Sequence, residues 1–105
     1  NILVTDTNIG KLEDFQVSLA PEQRSLGFMA DTKVVSYNTI ALLVSNLDNK
    51  EKTVRIYDGS EIIHEEKFSE ANFGKKFNFK HLRTLKNVSF EIVDETGFGR
   101  FVSVR

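Results

Sequence analysis

Along most of the chain, apolar and polar side chains take turns at every second position, the repeat of a strand with one face buried. Phe15, Val17 and Leu19 alternate with Gln16 and Ser18, and Pro21 closes that segment, because proline cannot donate to a ladder. Residues 1–5 predict a short edge strand, interrupted by Asp6-Thr7-Asn8-Ile9-Gly10. Residues 21–24 predict one helical turn, and residues 31–36 a strand running through Val34 and Val35. In residues 39–45, Ile40, Leu42 and Val44 share one face while Ala41 and Leu43 occupy the other. Apolar groups on both faces predict a central strand covered on two sides, or one beside an interface.

The next segments are the clearest. Val54 and Ile56 alternate with Thr53, Arg55 and Tyr57, and Asp58-Gly59 supplies the turn of a tight hairpin. In the returning strand, Ile62, His64, Glu66 and Phe68 fall on one face, and Ile63, Glu65 and Lys67 on the other. Either orientation puts charge beside apolar groups, as an edge strand does to discourage association. Phe73 to Phe79 forms a further strand, with Phe77 and Phe79 directed inward and Lys76, Asn78 and Lys80 toward water. Leu82 and Leu85 have helical spacing and predict a single turn capping one end. Val88, Phe90 and Ile92 alternate again, and Thr96-Gly97 reverses the chain into a last strand through Phe98, Val102 and Val104.

Seven to eight short strands, no long helix and connections too short for crossover helices predict an all-β fold. It is a single domain over residues 1–105, an antiparallel two-sheet sandwich of immunoglobulin or fibronectin type.

Composition narrows the function classes. Fourteen basic against fifteen acidic residues leave a formal net charge of -1, which gives no reason to expect nucleic acid or an anionic membrane as a general partner. Without cysteine there is no disulfide, thiolate metal site or cysteine nucleophile. Ile40-Ala41-Leu42-Leu43-Val44, the longest apolar run, is too short for a membrane span. The chain opens on Asn1 rather than Met, which is compatible with export.

Each candidate for chemistry has a plainer structural reading. His64 and His81 with Glu66 have the residue types for zinc but not the spacing of a ligand pair. Asp6 to Gly10 begins like a calcium loop, yet Val17 stands where the bidentate glutamate belongs. Glu65 and Glu66 are adjacent on a strand, point to opposite faces and so cannot form one acid/base pair. No Gly-x-Ser-x-Gly elbow supports a serine nucleophile. Asn87-Val88-Ser89 matches the glycosylation acceptor pattern by composition alone. The stretch 75–86 holds five basic residues and no acidic one, interleaved with Phe77 and Phe79. It marks Lys76, Lys80 and Arg83 as the place for contact with a polyanion or glycan. No cofactor or metal site is expected.

From residue 40 onward the chain resembles the DUF3244-like exported immunoglobulin-like β-sandwich domains of Bacteroidetes, and more distantly type IX secretion C-terminal sorting domains. The residues that carry the likeness are Leu42-Leu43-Val44, Val54-Arg55-Ile56-Tyr57-Asp58-Gly59 and Phe77-Asn78-Phe79. Leu82 and Leu85 follow, then Phe90-Glu91-Ile92, Gly97 and Phe101-Val102-Ser103-Val104. The pattern departs at Asn87-Val88-Ser89, where a Gly-x-Tyr leads the strand in those domains, and Pro21 is the only proline where a sorting domain opens on a proline-rich element. The resemblance implies an exported domain, periplasmic, cell-surface or secreted, without catalytic activity. Its expected partner is a protein or glycan, with no nucleic acid and no membrane insertion. The alternatives are an accessory or sorting module of a longer secreted protein, and a small glycan-acting enzyme.

Overall fold

A computed structural model describes residues 3–6 and 27–104. The expected strand at residues 14–19, the helical turn at 21–24 and all of the calcium-like loop after Asp6 lie outside the described residues.

Among the described residues, eight strands follow in order: β1 (Leu3–Asp6), β2 (Phe28–Ser36), β3 (Thr39–Asn46), β4 (Lys52–Asp58), β5 (Glu61–Phe68), β6 (Asn72–Asn78), β7 (Val88–Asp94) and β8 (Gly99–Val102). They form two four-stranded sheets, β1-β6-β3-β2 and β5-β4-β7-β8, and every pairing is antiparallel. Hairpins join β2 to β3, β4 to β5 and β7 to β8, whereas the β3–β4, β5–β6 and β6–β7 connections cross between sheets. That wiring makes an antiparallel two-sheet sandwich.

Alternation decides what fills the space between the sheets. Ile40, Leu42, Val44, Phe73 and Phe77 of the first sheet meet Val54, Ile56, Phe90 and Ile92 of the second, all buried. The rings of Phe77 and Phe90 lie 5.9 Å apart across the interior, and Phe68 stacks on Phe73 at 4.2 Å where β5 gives way to β6. Thr32 is buried on β2 and donates its hydroxyl to the Ser103 carbonyl at 2.6 Å, tying the first sheet to the chain leaving β8. Ala41 and Leu43 point away from the facing sheet and are buried as well, so β3 is covered on both faces.

Several local readings change. β2 begins at Phe28, which is buried, three residues ahead of the strand expected over residues 31–36. The β4–β5 turn is Gly59-Ser60, with Asp58 paired to Glu61 and only Gly59 at positive φ, the glycine-first form of a two-residue hairpin. A bulge beside Tyr57 shifts the β5 register, leaving Ile62 opposite Tyr57 and exposed while Ile63 packs on the core. Residues 80–87 form turns and bends rather than a helical turn, although Leu82 and Leu85 do pack against the core end. Phe98 precedes β8 and is exposed, because the Asp94 carboxylate accepts hydrogen bonds from the Thr96 and Phe98 amides and closes the turn.

Candidate functional site

Since Val54, Ile56, Phe90 and Ile92 face the core, their neighbours Arg55, Tyr57, Ser89 and Glu91 point out from the second sheet. The register puts Arg55 opposite both Glu65 and Glu91, and Glu91 opposite Phe101. One row, Glu65–Arg55–Glu91–Phe101, therefore crosses all four strands. Arg55 donates Nε to Glu65 at 2.6 Å and places Nη1 3.8 Å from Glu91. The Tyr57 hydroxyl donates to the same Glu91 oxygen at 2.7 Å, and its ring lies 5.7 Å from that of Phe101 at a 46° tilt. The bond to Glu91, followed by burial, pushes the Tyr57 phenol above its ordinary value, so it stays a donor near neutral pH. Phe101 nonetheless remains 59% exposed, a phenyl ring standing on an open sheet. β8 comes this close because residue 99 is glycine. A Cβ there would lie 2.9 Å from Val93 and 3.0 Å from the Ile92 carbonyl oxygen.

The basic stretch does not form one strip. Lys75 points inward and bonds to Glu66, Lys76 lies on the outer face of β6 opposite Ala41, and Lys80, Arg83 and Lys86 are exposed on the 79–88 connection. Phe77 and Phe79 are fully buried and present no ring to a ligand. Of the residues marked from the sequence, Lys80 and Arg83 share a loop while Lys76 sits apart on the first sheet.

The histidines are also separated. His81 is exposed on the same connection. His64 leans inward from edge strand β5, with Nε2 2.9 Å from Glu66 and its ring 5.5 Å from Phe77. Glu66 thus links β5 to Lys75 of the other sheet, while Glu65 points outward, as alternation requires. Among the described residues, no three histidine, aspartate or glutamate side chains gather where a metal could be held. No helix there is long and apolar enough to cross a membrane.

Partial burial alone would raise the Glu66 carboxyl, but hydrogen bonds from His64 and Lys75 outweigh it and hold the group below its ordinary value. Asp48 behaves alike: burial raises it, while Lys52 and the Lys50 amide lower it further. Asp94 is lowered chiefly by the Thr96 hydroxyl. A carboxylate depressed by folding contributes stability above its unfolded pKa, about 4, and loses it as pH falls through the folded value. Thermal midpoints followed by circular dichroism should stay level from about pH 7 to 5 and drop below about pH 4. Glu66→Gln, which cannot titrate, should start lower at neutral pH and drop less; an equal drop would show that Glu66 takes no part.

Comparison of the chain with family models, curated proteins and solved structures finds no match. Any assignment of function therefore comes from the molecule's own surface. Strand alternation already directs Arg55, Tyr57 and Glu91 outward. Missing from the sequence was the pairing that gathers them beside Phe101, because β7 and β4 are thirty residues apart along the chain.

Proposed function

We propose that this protein is a non-catalytic, exported β-sandwich module, of the DUF3244-like kind, that works by surface contact with a protein or glycan outside the cytoplasm. The observation that carries the reading is the open row on the four-stranded sheet. Charged groups there hold one another in place around two aromatic rings, on a rigid element suited to binding. Both carboxylates of the row are engaged by Arg55 or Tyr57, which favours a contact role over proton transfer. The inward cluster of His64, Glu66 and Lys75 joins the two sheets and serves folding.

Labelled protein applied to an array of immobilised glycans and matrix proteins, fibrinogen and collagen among them, tests the proposal. Wild type should bind a subset of spots, and an Arg55→Ala/Phe101→Ala variant that melts cooperatively should lose them. Turnover of an arrayed glycan, or unchanged binding by the variant, would contradict it.

A further inference from the structure

We propose that the outward face of the β5-β4-β7-β8 sheet binds an uncharged polysaccharide chain, with Tyr57 and Phe101 as the platform and Arg55, Glu65 and Glu91 as partners for sugar hydroxyls. This rests on the surface-contact reading above and names the ligand class for the same face.

Charge comes first. The outward side chains of this face include Arg55 and Lys67 against Glu65 and Glu91, a sum of zero. A charged polymer gains no net attraction from such a surface. A partner with no charge loses nothing by that balance.

Hydrogen-bonding capacity points the same way. Glu65 and Glu91 each keep acceptor positions beyond the bonds they make, and Arg55 keeps N–H groups beyond Nε. A protein partner would have to cover these charges with a largely apolar interface centre, which leaves them desolvated and imperfectly paired. Sugar hydroxyls both donate and accept, so they can replace the water that these groups give up.

The apolar part is of matching size. Two rings 5.7 Å apart fall far short of the roughly 800 Å² per partner that a stable protein interface buries. The exposed Phe101 ring is large enough for the C–H face of a sugar ring to lie on it, with the Tyr57 ring tilted at 46° as its flank. The row crosses four strands, about 14 Å at ordinary strand spacing, so the site runs along a chain rather than enclosing a single monosaccharide. Because the polar side chains are already held by one another, little freedom is lost when the ligand arrives.

The test is native gel electrophoresis with polysaccharide cast into the gel: hydroxyethylcellulose, galactomannan, xyloglucan and dextran as neutral probes, heparin as the anionic one. Wild type should be retarded by at least one neutral probe. Phe101→Ala, which removes an exposed ring and leaves the core intact, should weaken that association by about tenfold or more, the loss expected of an aromatic anchor. Lys80→Ala/Arg83→Ala should migrate as wild type does. Retardation by heparin alone, abolished in Lys80→Ala/Arg83→Ala, would overturn the proposal and move the site to the 79–88 connection. No retardation by any neutral probe, with Phe101-dependent binding to arrayed fibrinogen or collagen, would overturn the polysaccharide and leave the surface-contact reading intact. If Phe101→Ala altered neither assay, both would fall.

Discussion

Phe90→Ala should destabilise the protein by about 3–5 kcal/mol, the usual cost of emptying a fully buried phenylalanine site. Phe90 lies at the middle of β7, inaccessible to solvent, between Ile56 on β4 and Val102 on β8 in the ladder. Across the interior it meets Phe77 of the other sheet. Its removal takes away transfer free energy and opens a cavity that two hydrogen-bonded sheets cannot easily close. A domain of this length has about 5–15 kcal/mol in total, so much of the margin should go, with a fall in thermal midpoint of about 15 °C or more. Phe101→Ala is the control. It replaces an equally large ring one ladder position away on the outer face, and should change stability by less than about 0.5 kcal/mol. Urea unfolding followed by circular dichroism measures both, and similar losses in the two variants would mean that the faces have been assigned wrongly.

The second large effect concerns Lys52, which is completely buried although it is a lysine. Its ammonium donates to Asn46 Oδ1 at 2.9 Å, Asp48 Oδ1 at 2.6 Å and the Lys50 carbonyl at 3.3 Å, so three oxygens from the end of β3 and the connection to β4 meet its three protons. Asn46 in turn donates Nδ2 to the Lys50 carbonyl, and Gly27, at φ +77°, leaves room where a Cβ would run into the Asp48 carboxylate. Asp48→Ala removes the counter-charge and leaves a buried ammonium with two neutral acceptors. Lys52→Met removes the buried charge itself and keeps most of the apolar stem. Breaking a buried pair from one side costs more than replacing its charge by a hydrocarbon. Asp48 is partly exposed, which moderates the loss to about 2–3 kcal/mol for Asp48→Ala, against about 1–2 kcal/mol for Lys52→Met. The ordering is the prediction. A larger loss in Lys52→Met, by the same urea titration, would show that the oxygens depend on the ammonium more than it depends on them.

Sequence pattern carried the fold a long way. Alternation around Val54, Ile56, Phe90 and Ile92 sorts inner from outer residues without knowledge of which strands pair, because a strand's two faces are set locally. Glu65 and Glu66 were separable for the same reason. What was not legible depended on pairing between distant segments or on a break in period. The bulge beside Tyr57 exchanges the roles of Ile62 and Ile63, and a strict two-residue repeat cannot register an extra residue. Leu82 and Leu85 have helical spacing, yet they are anchors of an irregular connection whose ends are held at Phe79 and Val88. Lys52 reads as a polar strand terminus, since nothing local reveals that a loop will close over it. The basic stretch shows the limit for function: composition placed five cations together, while the pleat sent Lys75 inward, Lys76 to the first sheet and the rest to a loop. The row on the second sheet has no sequence signature, since its members come from four strands.

Residue-level mapping of the bound ligand tests the account most directly. Isotope-labelled protein would be titrated with an oligosaccharide of whichever neutral polysaccharide retards it, and amide shifts followed by nuclear magnetic resonance. The expected perturbations cluster at Arg55, Tyr57, Glu91 and Phe101 and leave His64 and Lys75 unmoved. Shifts confined to Lys80 and Arg83, or centred on His64 and Glu66, would contradict it.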